Sequence, residues 1–121
     1  MDKRALTLSA GPAAAAILDR DHLARQTFGD RALEAEILVL FAEQCGRLVP
    51  RLGPGGDRAD RLAAAHTLKG AARAVGADQV AAWAQAIEEA AEEDLPRLAG
   101  GLAGAVAEAG RAAASRAADR D

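Results

Sequence analysis

The segment DRADRLAAAHTLKGAARAVG, residues 57–76, has the form of one complete amphipathic helix. Asp57 supplies a side-chain acceptor where an N-cap is needed, and Gly76 is the residue type that most often follows a helix C-terminus. With Leu62 as zero and about 100° per residue, Ala64, Ala65, Leu68, Ala72 and Val75 cluster at roughly 200–300°. That stripe is the expected core face. His66 falls at about 40°, Lys69 at about −20°, Gly70 at about 80° and Arg73 at about 20°. An imidazole, two cations and a glycine therefore share the face turned away from the core.

The flanking sequence repeats the pattern. Gly53-Pro54-Gly55-Gly56 stops a preceding run in which Leu33, Ile37, Leu40, Phe41, Cys45, Leu48 and Leu52 recur at steps of three or four, with Asp30 placed to cap it. A short pattern from Asp19 to Gln26, carrying Leu18, His22 and Leu23, stands before Phe28-Gly29-Asp30. After the Gly76-Ala77 turn, a further helix opens at Asp78 and uses Val80, Trp83, Ala84, Ile87 and Ala91. Asp94-Leu95-Pro96 reads as a cap with Pro in the first turn of a last helix. That helix buries Leu95, Leu98, Leu102, Val106 and Ala109 and is expected to fray into the charged stretch from Arg111 to Asp121. Gly100, Gly101, Gly104 and Gly110 each lower its propensity by roughly 1 kcal/mol relative to Ala.

Short connections force neighbouring helices to run in opposite directions. The fold expected is therefore all-α: an antiparallel up-down-up-down four-helix bundle with a short extra N-terminal helix. It forms one domain over 18–121, preceded by a flexible N-terminal arm over 1–17. Lys3 and Arg4 give that arm a faint likeness to a signal peptide, but Asp2, Thr7, Ser9, Gly11 and Pro12 break the pattern.

Composition agrees. The 121 residues are 50% hydrophobic, 27% charged and only 2% aromatic, so the core must be built from Leu, Ile, Val and much Ala. Ala favours helix over strand. A formal net charge of −3 argues against nucleic acid or anionic membrane as a partner. No apolar run approaches the roughly 20 residues that cross a bilayer. The single cysteine, Cys45, cannot form an internal disulfide and suits a cytoplasmic setting, with the thiol inert on the core stripe. Two histidines cannot build a convincing metal site, so none is expected, and His22 reads as surface. Trp83 reads as core.

The face around His66 suits phosphoryl chemistry. A neutral imidazole is a nucleophile, and two adjacent cations can neutralise phosphate oxygens once the ring has accepted them. Gly in mid-helix costs stability, so Gly70 one turn from His66 calls for a reason; close approach of a large partner supplies one. Leu62, near 0°, and Ala59, at about 60°, lie beside the same face and offer an apolar rim for docking with Gly70 and Arg73. Reversal at Gly76-Ala77 brings the level of His66 opposite Ile87 and Glu88. Gln85 and Glu88 are three apart and share a face, so either can reach the imidazole Nδ1–H and leave Nε2 free. A merely solvated Glu88-Glu89 face is the plain alternative.

His66-Thr67-Leu68-Lys69-Gly70-Ala71-Ala72, with Gly76-Ala77 after it, resembles the signature of histidine-containing phosphotransfer (HPt) domains of bacterial phosphorelays. The likeness extends from about Leu18 to Ala91 and includes Phe28-Gly29-Asp30. It implies a phosphocarrier, not an enzyme with its own ATP-dependent kinase activity. His66 would accept a phosphoryl group on Nε2 from a receiver-domain aspartyl phosphate and pass it to another receiver, with Glu88 the first choice and Gln85 the second to hold Nδ1–H, because members of the family place polar side chains at the same two offsets. The resemblance further implies no cofactor of its own, Mg²⁺ on the partner receiver, and response-regulator receivers and hybrid or sensor histidine kinases as partners of a monomer. A bundle that binds such partners without being phosphorylated is the competing reading, and the presence of His66 speaks against it. A helical metal-dependent hydrolase fails for want of paired Glu/His ligands.

Overall fold

The structure, a computed structural model, describes residues 15–119. Its regular elements are all helical: α1 (Arg20–Gln26), α2 (Arg31–Leu48), α3 (Arg58–Val75), α4 (Asp78–Glu88) and α5 (Leu95–Ala118). Single 3₁₀ turns, Val49–Arg51 and Glu92–Asp94, follow α2 and precede α5. None of these helices is long and apolar enough to cross a membrane.

Local chemistry sets the starts of the first three helices and the end of the third. Asp19, Asp30 and Asp57 each accept a backbone N–H from three residues on, at 3.0, 3.1 and 2.9 Å, so α1, α2 and α3 start where an aspartate can cap them. Gly76 ends α3 with a left-handed φ of 80°. It has a second reason to be glycine: its carbonyl accepts from the Asp19 N–H at 2.8 Å, and a Cβ would lie 2.9 Å from the Asp19 oxygen. Arg51 holds Asp60 through two N–H···O contacts of 3.1 and 2.6 Å across the Gly-rich connection, which keeps the Asp60 carboxyl below its usual range.

The core is built from Leu23, Phe41, Leu48, Leu52, Leu68, Val80, Ile87, Leu95 and Leu102, with alanines between them. Small residues let the helices approach closely. At Gly101 a Cβ would overlap the Trp83 ring, so that half-buried indole lies flat on the α5 backbone. Paired residues give the helix directions: His66 with Glu88 and Lys69 with Gln85 across α3 and α4, Glu34 with Arg116 across α2 and α5. In the α3–α4 contact the numbers rise on one helix as they fall on the other, so the hairpin is antiparallel.

Four expectations change. On α2 the buried stripe is Glu34, Leu38, Phe41, Cys45 and Leu48, while Leu33 and Leu40 are exposed. The helix is turned so that Glu34, 2% exposed, meets the Arg116 guanidinium at 2.6 and 3.2 Å. That same pair carries α5 to Ala118 instead of letting it fray at Arg111, and Arg31 donates to the Arg116 and Asp119 carbonyls at its end. The third bundle helix stops at Glu88 and leaves Ala91 outside it, exposed. Asp94 stands at the start of α5 without a side-chain capping bond, because the preceding 3₁₀ turn already delivers the chain in helical geometry.

Of the expected N-terminal arm, residues 1–14 lie outside the described part. Ala15 and Ala16 are tied to the start of α4, their carbonyls accepting from the Gln79 side chain and backbone at 3.1 and 2.9 Å.

Candidate functional site: an exposed histidine over a lysine–carboxylate network

His66 stands mid-way along α3 with its side chain 77% exposed. Its neighbour across the hairpin is Glu88, the last residue of α4, whose Oε1 is 3.7 Å from Nδ1. That distance is an ionic approach and not yet a hydrogen bond. Glu88 Oε1 is buried and takes no hydrogen bond from the described residues. It lies 2.9 Å from Lys69 Nζ, an ion pair. One lone pair of a buried carboxylate thus faces the imidazole.

Lys69 is not the solvated cation its charge suggests. Only 12% of its side chain is exposed, and Nζ donates to Gln85 Oε1 at 2.7 Å and to Glu88 Oε2 at 3.2 Å. An ammonium has three N–H groups, so one is left for a further acceptor. Gln85 in turn donates its amide N–H to Glu89 Oε1. Chemistry fixes this amide: exchanging its oxygen and nitrogen would set donor against donor at Lys69 and acceptor against acceptor at Glu89. Gln85 thus bridges Lys69 and Glu89, while Glu88 has the contact with the ring at 3.7 Å.

The remaining expected residues fall around this centre. Gly70 is exposed and a Cβ there would meet nothing within 4 Å, so no neighbour in the fold requires glycine at that position. Arg73 and Ala59 are exposed, and Leu62 is half-buried at the edge of the same helix. His22 is not an idle surface residue: its Nε2 bonds the Ala74 carbonyl at 3.1 Å and ties α1 to the end of α3. The Cys45 thiol is buried, and burial pushes it up to about 11, well away from the reactive thiolate. Among the described residues no group of three or more His, Cys, Asp or Glu could hold a metal ion.

Two participants escaped the sequence reading. Glu89, taken with Glu88 as a solvated face, sets the Gln85 amide. Arg61 is buried and reaches Glu92 at 3.1 Å. A signal for Arg61 existed, since it falls at about 260° on the same wheel, inside the core stripe.

A comparison with protein-family models matches residues 31–115 to the model described as the Hpt domain. No curated protein and no solved structure matches the chain. The family match begins at the first residue of α2, includes the whole His66 hairpin and ends in the last turn of α5. The chain belongs to the Hpt domain family, the helical-bundle domains that carry out histidine-containing phosphotransfer in phosphorelays as phosphocarriers rather than kinases.

Proposed function

We propose that His66 is the phosphoryl acceptor of this chain, taking the group from an aspartyl phosphate on a receiver domain and passing it to a second receiver. The observation that carries this reading is an exposed imidazole whose Nδ1 has a buried, unbonded carboxylate oxygen beside it. With Nδ1–H held toward Glu88, the lone pair resides on Nε2, the nitrogen without a partner. Nε2 attacks phosphorus as the bond from phosphorus to the aspartyl oxygen breaks, and the aspartate leaves as a carboxylate. The Nδ1 proton stays on the ring and is held by Glu88. The remaining Lys69 N–H donates to a phosphoryl oxygen, and Arg73, on the same exposed face, adds positive charge for the approach of the acidic partner site.

Docking on this reading uses the face of α3 that bears Ala59, Leu62, Gly70 and Arg73. Partners are response-regulator receivers and hybrid or sensor histidine kinases, and the chain acts as a monomer in the cytoplasm. Mg²⁺ is assigned to the receiver, whose aspartyl phosphate it would steady. The test is intact-mass measurement after incubation with a phosphorylated receiver. Gain of one phosphoryl group that acid removes and base does not is the expected result; no gain with any competent receiver contradicts the reading.

A further inference from the structure

The end of α4 has no local cause. Residues 88–95 read Glu-Glu-Ala-Ala-Glu-Glu-Asp-Leu, with no glycine, and the first proline is Pro96. Alanine and glutamate are among the best helix formers. The helix nevertheless stops at Glu88, and Ala91 is extended, with φ −73° and ψ 152°.

A tertiary cause lies one turn before His66. Arg61 is on the core stripe of α3, its side chain 3% exposed, and its one ionic partner among the described residues is Glu92, 61% exposed, at 3.1 Å. The Arg61 Nη1 is buried without any hydrogen bond. A buried guanidinium requires a counter-charge, whereas an exposed carboxylate is content in water, so Arg61 dictates where Glu92 goes. In a continuous helix Glu92 would lie four residues on from Glu88 and on its face. His66 and Arg61, at about 40° and 260°, look in different directions from α3. One unbroken helix cannot offer Glu88 to the first and Glu92 to the second.

We propose that Arg61 is a positioning residue for the phosphoryl-transfer site: by drawing Glu92 to the core face it ends α4 at Glu88 and keeps that carboxylate against Lys69 and His66. The proposal rests on His66 as the acceptor.

The test uses the full chain with Arg61→Met, Arg61→Lys and Glu92→Ala. Methionine fills the buried space without charge, a replacement that buried ion pairs commonly tolerate. In Arg61→Met the Cα chemical shifts of Glu89, Ala90 and Ala91 are expected to move to helical values. The ¹⁵N shifts of the His66 ring should lose the bias toward a protonated Nδ1, and transfer should slow by roughly tenfold or less. Arg61→Lys should restore all three readouts at least in part. In a Glu88→Ala background Arg61→Met should cause no further slowing. Unchanged shifts at 89–91, an unchanged ring, or equal slowing with and without Glu88 would each overturn the proposal. Should Arg61→Met fail to fold, Glu92→Ala, which keeps the Arg61 stem packed in the core although its charge is then unpaired, is read in the same three ways. The shifts and the ring are measured on unphosphorylated protein; a wild-type chain that takes no phosphoryl group would instead overturn the acceptor reading itself.

Discussion

His66 Nδ1 and Glu88 Oε1 stand 3.7 Å apart, and that oxygen, although buried, accepts no hydrogen bond from the described residues. The Lys69 ammonium 2.9 Å away compensates its charge, and a rotation of the exposed ring that closed the gap would add a hydrogen bond. Glu88 is the side chain in contact with the ring, while the Gln85 oxygen accepts from Lys69 at 2.7 Å. Glu88→Ala should therefore loosen the imidazole and slow transfer by about tenfold, whereas Gln85→Ala should leave the ring tautomer as it is. Nitrogen shifts of the His66 ring decide between them, and a tautomer change in Gln85→Ala alone would reverse the assignment.

Lys69→Ala removes charge stabilisation but not the nucleophile. Phosphorylation should persist and slow on the order of 10- to 1,000-fold, the range single electrostatic contacts supply. The same change strips Glu88 of its cation at 2.9 Å, so this variant should be slower than Glu88→Ala. Rates from one phosphorylated receiver test the order, and a Lys69→Ala rate equal to wild type would remove Lys69 from the mechanism.

Gly70→Gln should fold as well as wild type or better, by up to about 1 kcal/mol, since glutamine is the better helix former. A Cβ at this position would meet nothing within 4 Å among the described residues. Its obstruction is to a partner. Stable folding with an unchanged transfer rate would show that nothing approaches closely there.

How far the sequence revealed this arrangement depends on the range of each interaction. Asp30, Asp57 and Gly76 act within a turn of themselves, so the ends they set were readable, as was the common face of His66, Lys69, Gly70 and Arg73. Glu34 was not, because it is buried for a partner 82 residues away, and although the wheel puts Arg61 on the core stripe, its partner 31 residues away could not be read there. Hydrophobic periodicity ranks Leu33 and Leu40 above Glu34, and nothing local tells it that a guanidinium waits on α5. The stop of α4 at Glu88 was hidden for the same reason: Glu89, Ala90 and Ala91 favour helix, and the contact that opposes them is tertiary. Lys69 was placed on the right face, but its burial under Gln85 and Glu88 depends on the hairpin partner.

Cys45 gives a pH dependence of definite sign. Its thiol is pushed from 9.0 to about 11 by burial, so the unfolded chain loses this proton first. Between those values the unfolded state binds fewer protons, and stability falls as pH rises; below 9.0 the group adds no slope. Urea midpoints on either side of the window should fall less in Cys45→Ala than in wild type. An equal fall in both proteins would assign the slope to other groups. At neutral pH the native thiol should resist aromatic disulfide reagents until the protein is unfolded.

The central claim is that His66 alone carries the phosphoryl group, and a transfer time course from a radiolabelled phosphorylated receiver to wild type and to His66→Gln tests it most directly. Wild type should acquire label that is lost in acid and retained in base, and His66→Gln should keep its helical circular dichroism and acquire none. Label on a folded His66→Gln chain would contradict the account and turn attention to His22, the only other histidine in the sequence.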